Sequence, residues 1–154
     1  MSTAITTESI WFIDNLARVL VDGEASGGEI AIVEIFARRG DMPPLHVHRR
    51  EDEVFYMLEG RLSLHLADVS HEIGPGQAAF APRDVPHVYR VESETARWLA
   101  IATPAGFDMF VREVGEPAPE EMLPPEGRVH DPGRIAEIGA RHGIELLGPP
   151  GTMP

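Results

Sequence analysis

His46-Val47-His48, Glu53 and His87 are the residues of this chain whose types and spacing suit chemistry. On a strand, residues two apart point to the same side, so His46 and His48 can present both imidazoles to one point. Glu53 follows shortly after, and His87 opens a later apolar run behind Pro82-Arg83-Asp84-Val85-Pro86. Three neutral imidazoles and one carboxylate are a mixed donor set for a borderline divalent ion. Such a site keeps about one positive charge and can polarise a bound oxygen or substrate. Spacing by itself leaves plainer readings open. Two histidines on a strand often only satisfy local hydrogen bonds, and chemistry alone does not separate Glu51, Asp52 and Glu53. Arg49-Arg50 beside these acids reads most simply as a self-paired surface turn, worth little energetically.

The elements that must hold these residues read as short strands. Leu16–Val21, Glu29–Ala37, Val54–Glu59, Arg61–Leu66, Gln77–Ala81, Val88–Val91 and Arg97–Ala102 each have strand length, and Leu62-Ser63-Leu64-His65-Leu66 alternates strictly. Breakers separate them: Asp22-Gly23, Gly27-Gly28, Gly40-Asp41, Pro43-Pro44, Gly74-Pro75-Gly76 and Pro82 to Pro86. No helical pattern lies between the strands, so an all-β sandwich or barrel is expected over 8–114. Beyond it, Phe107–Val114 suits a short helix, and Glu116–Glu126, with four prolines and four glutamates, an irregular solvated connector. Asp131-Pro132 then starts a second short helix, with Asp as N-cap and Pro in the first turn, and Gly143 stops it. Residues 115–154 are thus expected to be an arm, too small to fold alone.

Composition removes several classes of function. The chain has 154 residues, and 13 basic against 25 acidic residues give a net charge of −12, which argues against a nucleic-acid partner. There is no Cys, hence no disulfide, thiolate site or Cys nucleophile. All basic residues are Arg, so a Schiff-base lysine and the lysine of a phosphate loop are excluded as well. Residues 1–13 carry no basic residue, unlike a secretory leader, and no uncharged run is long enough to span a membrane. A soluble, cytoplasmic protein without a membrane partner is the expectation. His65, His71, His130 and His142 are read as surface residues, and Phe107 as helix packing, with closure of the barrel mouth as its other reading.

The stretch Gly40-x5-His46-x-His48-x4-Glu53-x6-Gly60 resembles the first motif of the cupin family at every fixed position. Gly76-x5-Pro82-x-Asp84-x2-His87 resembles the second, with Asp84 at a usual Gly position and Val91 at a usual Asn position. Neither departure removes a ligand, though Asp takes left-handed backbone less easily than Gly. The resemblance implies a small antiparallel jelly-roll barrel with the short helical arm appended. It implies His46, His48, Glu53 and His87 as ligands of one divalent ion: iron, nickel, manganese, copper, cobalt or zinc. Strand alternation in that fold turns Phe55 and Met57 inward with Glu53, and Tyr89 and Val91 inward with His87. These four are the expected lining of an apolar pocket, with ordinary core as the plainer reading for Met57 and Val91.

By resemblance to small quercetin dioxygenase-like cupins, the expected activity is oxidation of a small enolic or phenolic substrate. Glu53 would then serve both as ligand and as general base. The alternatives are a non-redox isomerase or lyase acting on a sugar or oxoacid, or a ligand-binding cupin without turnover. Resemblance also implies a homodimer, an expectation supported by the edge strands and the apolar segment Ile144–Leu147, which would otherwise stay exposed.

Overall fold

The computed structural model describes residues 8–154; residues 1–7, part of the stretch read as lacking a leader, lie outside them. Ten strands come first: β1 Ser9–Phe12, β2 Asn15–Val21, β3 Ala31–Arg38, β4 Pro44–His48, β5 Asp52–Glu59, β6 Leu62–Leu66, β7 Val69–Ile73, β8 Ala78–Ala81, β9 His87–Val91 and β10 Thr95–Thr103. Helix α1 (Phe107–Val114), the two-residue β11 (Glu116–Pro117), helix α2 (Pro132–Arg141) and β12 (Ile144–Pro150) follow. No helix among the described residues is long and apolar enough to cross a membrane.

The strands form two antiparallel sheets, in the orders β11-β1-β2-β3-β10-β5-β8 and β12-β4-β9-β6-β7. The pairing does not close into a barrel; the two layers meet face to face, as in a jelly roll. Alternation is the cause. In β3 and through most of β10, every second residue is buried, and Val33, Ile35, Ala37, Trp98 and Ala100 join Phe55, Met57, Leu62, Leu64 and Val91 in one core. Trp98, at 1% exposure, is the largest of the fully buried side chains.

The tail carries one element beyond the expected helix. Helix α2 has the predicted limits, with Asp131 accepting a hydrogen bond from the Arg134 N–H and Gly143 following at a positive φ of 72°. Beyond it the chain continues as β12, which pairs antiparallel with β4 and sets Ile144 opposite His48 and Leu146 opposite His46. The apolar segment is therefore used within its own chain, with Ile144 buried. As support for a dimer it lapses. The connector is irregular except at β11, which adds two residues to the edge of β1. Val69–Ile73, which holds His71, is a strand whose first four residues are exposed.

Candidate metal centre

His46 and His48 sit on β4, Glu53 on β5 and His87 at the start of β9, where His46 and His87 are register partners. One donor atom from each of the four lies within 4.8 Å of every other. Glu53 Oε2 is 3.3 Å from His48 Nε2 and 3.2 Å from His87 Nε2. The far side of each ring is also engaged. Nδ1 of His46 bonds the Pro44 carbonyl at 2.7 Å, that of His87 bonds the Val85 carbonyl at 3.2 Å, and that of His48 bonds Glu51 Oε1 at 2.8 Å. A carbonyl or carboxylate at Nδ1 makes that nitrogen the donor and leaves the Nε2 lone pair for a ligand. Three inward lone pairs and a carboxylate fit a divalent cation.

The local backbone explains this convergence. Asp84 adopts the left-handed conformation that Gly takes more readily, at φ 66°, so the turn before His87 survives the substitution. Its N–H donates to the His48 carbonyl at 2.8 Å, tying that turn to β4. Charge balance follows from burial. Desolvation, helped by the neighbouring His87 and His48, pushes His46 down to about 3, so it stays neutral. Burial also opposes a charge on His48, yet the Glu53 carboxylate and the Glu51 bond raise its pKa overall. Glu53 is penalised by burial, but the imidazoles around it bring its pKa down to about 2, which keeps the carboxylate ionised.

Glu51 was not separated from its acidic neighbours by sequence, and it is no part of a surface turn. It is 2% exposed and holds His48. Asp52 instead pairs with Arg83, and Arg49 with Asp84 and Glu145, while Arg50 donates to the Arg141 carbonyl. The self-paired turn is thus replaced by ties to other segments, because residues alternate sides as β5 begins. Glu51→Gln is expected to weaken metal binding by roughly 10- to 100-fold, the usual range for a lost partner of a ligating histidine. Competition with a chelator followed by elemental analysis measures it.

Residues 33–102 match the cupin domain model. The chain carries a cupin domain. This cupin is 26% identical over 113 residues to quercetin 2,3-dioxygenase of Bacillus subtilis, an alignment covering 73% of the chain but only 34% of that enzyme. The chain thus spans about a third of that relative. It is 27% identical to an uncharacterized Aquifex aeolicus protein, covering 60% of the chain and 84% of the relative. Among solved structures it resembles the polyketide cyclase RemF from Streptomyces resistomycificus, at 28% identity and a TM-score of 0.54, over 67% of this chain and 78% of that one. A predicted oxalate decarboxylase from Thermotoga maritima shares the fold at 18% identity and a TM-score of 0.60, covering 68% and 99%.

A cavity of about 240 Å³ adjoins the cluster and is lined by His46, His48 and Glu53. Of the four residues expected to line a pocket, Phe55 and Tyr89 do so. Met57 and Val91, both fully buried, belong to the core cluster and are not among the lining residues. Phe107 does more than pack its helix: it lines the cavity and lies 6.0 Å from the His48 ring. Sequence reasoning missed Asn15, Asp41, Phe12 and Phe110, which also face this space. Their only local signal was position, Asp41 directly after the motif glycine.

Two of the other histidines have carboxylate partners. His142 bonds Glu113 at 2.6 Å beside Phe110, and His130 bonds Asp14 at 2.9 Å. His65 is half-buried on β6, and His71 is exposed.

Proposed function

We propose that this cupin is a metalloenzyme acting on a small, largely apolar ligand with an enol or phenol oxygen, by quercetin dioxygenase-like oxidation. The observation that carries this reading is the meeting of an aromatic, apolar cavity with the three-histidine, one-glutamate cluster. A bound divalent ion would supply a positive centre for an anionic oxygen and, if redox-active, a route to O2. His46, His48, His87 and Glu53 would hold it, and Glu51 would keep His48 in the tautomer that binds. Phe55 and Phe107 flank the cluster and would seat a flat ring while excluding water. Glu53 is ionised and acceptor-only, so it can accept a hydrogen bond from a ligand hydroxyl that comes within reach, the geometry that a general base needs. Glu53→Gln protein that keeps both metal and full turnover would show that this proton goes elsewhere.

The deciding test is O2 uptake by the protein as purified, with a flavonol and with smaller enols. Uptake matched by loss of the substrate's absorbance, and missing in His48→Ala, is the expected result. A second reading has its own support. The 28% likeness to a polyketide cyclase, together with the aromatic lining, favours non-redox ring chemistry in which the ion acts only as a Lewis acid. Ligand turnover without O2 uptake would select it. A homodimer is proposed as well, on the exposed Val69 and Phe80 of the edge strands β7 and β8. Sedimentation as a single 16.9 kDa species would overturn it.

A further inference from the structure

The three polar residues Asn15, Asp41 and Tyr89 line the same cavity as His46, His48 and Glu53, but they form a cluster of their own. Tyr89 Oη donates to Asp41 Oδ2 at 2.9 Å. Asn15 Nδ2 donates to the same oxygen at 3.1 Å and to Tyr89 Oη at 3.3 Å. Every donor of the Asn15 and Tyr89 side chains is thereby spent inside the cluster. What is left over is an acceptor. Asn15 Oδ1 is buried with no hydrogen-bond partner, on a residue only 4% exposed. A buried acceptor without a partner is costly, and a ligand that supplies the donor relieves that cost.

We propose that Asn15, held by Asp41 and Tyr89, is a second polar pole of the cavity that accepts a hydrogen bond from a ligand hydroxyl remote from the metal cluster. This rests on the reading of the cavity as a site for a phenolic or enolic ligand. The spacing suits such a molecule. Tyr89 stands two residues from His87 on β9, a separation of roughly 6.6 Å along a strand. The Phe55 ring bridges that interval, 6.0 Å from the His87 ring and 6.2 Å from the Tyr89 ring. The ligand is therefore a one- or two-ring body with an oxygen for the ion at one end and a hydroxyl for Asn15 at the other. The rigidity of the pole comes from behind: Tyr89 packs edge-on against the buried Trp98 at 4.9 Å. With its donors already used, the pole selects hydroxyls and discriminates against ethers and carbonyls at that end.

Calorimetric titration of the protein as purified with naphthalene-2,6-diol and with 2-naphthol tests this. The diol is expected to bind about tenfold more tightly, the worth of one well-made hydrogen bond at a buried acceptor. In Asn15→Leu that ratio should fall to about one. Tyr89→Phe keeps the ring against Trp98 but frees the hold on Asp41 and Asn15, and is expected to reduce the ratio in the same direction, which covers the case that Asn15→Leu does not fold. Equal affinities of the two naphthols for the natural protein would overturn the pole and leave the phenolic reading standing; water would then satisfy Asn15. No binding of either compound would overturn both.

Discussion

The natural protein is expected to be purified with about one equivalent of a divalent ion per chain, and His48→Ala protein almost free of it. The loss should exceed the roughly 100-fold upper end for partners outside the ligand set, because a donor itself is removed. Two further effects add to the missing nitrogen. Glu53 loses the nearby His48 imidazole and keeps His87 at 3.2 Å, and the buried Glu51 loses its partner at Nδ1. Both leave buried carboxylates short of bonds, which destabilises the empty protein as well. Elemental analysis beside a His65→Ala control decides the matter, since His65 lies on β6 outside the cluster. Equal metal in His48→Ala and in the control would remove this cluster from consideration.

Gly60→Ala is expected to cost the protein about 3 kcal/mol of stability, the sum of left-handed strain and overpacking at a fixed wall. Gly60 ends the first motif at φ 76° in the turn between β5 and β6. A Cβ there would run into the Thr95 carbonyl oxygen and stand 2.5 Å from Ser93 Oγ and 2.8 Å from Ala96 Cα. The wall is largely backbone of β10 and its approach, so it cannot step aside as a flexible side chain would. For a chain of this size the loss corresponds to a fall in Tm of roughly 6–12 °C. Gly76→Ala is the comparison: its φ is also positive, at 80°, but nothing lies within 4 Å of the added carbon. That variant should lose only about 1–2 kcal/mol, the strain by itself. Equal melting shifts for the two would show that contact with β10 contributes nothing.

Much of the site was legible because it follows a period of two. His46 and His48 share a side of β4 by alternation alone, and so do Glu53 and Phe55 on β5 and His87 and Tyr89 on β9. The turn residues marked where each strand stops. Glu51 was not legible, since its acidic neighbours offer the same chemistry, and only packing shows which one turns back to His48. The Asn15, Asp41 and Tyr89 cluster joins three segments distant in sequence, and no local pattern connects them.

The sequence by itself determined the all-β class, the four candidate ligands, the two short helices and the exclusion of thiol and lysine chemistry. Residue type and short-range periodicity are local properties, and these conclusions need nothing else, except that singling out Glu53 among its acidic neighbours took the resemblance to the cupin motif. Tertiary structure decided the rest. It returned the apolar tail to β4 as strand β12, where sequence left its docking open. It also divided the expected pocket residues, keeping Phe55 and Tyr89 at the cavity and placing Met57 and Val91 in the core. Phe55 and Met57 share a face of β5, and Tyr89 and Val91 a face of β9, so alternation treats the members of each strand alike. Alternation selects the face of a sheet; how far a cavity runs along that face depends on side chains from the opposite layer and from α1 and α2, whose placement is non-local.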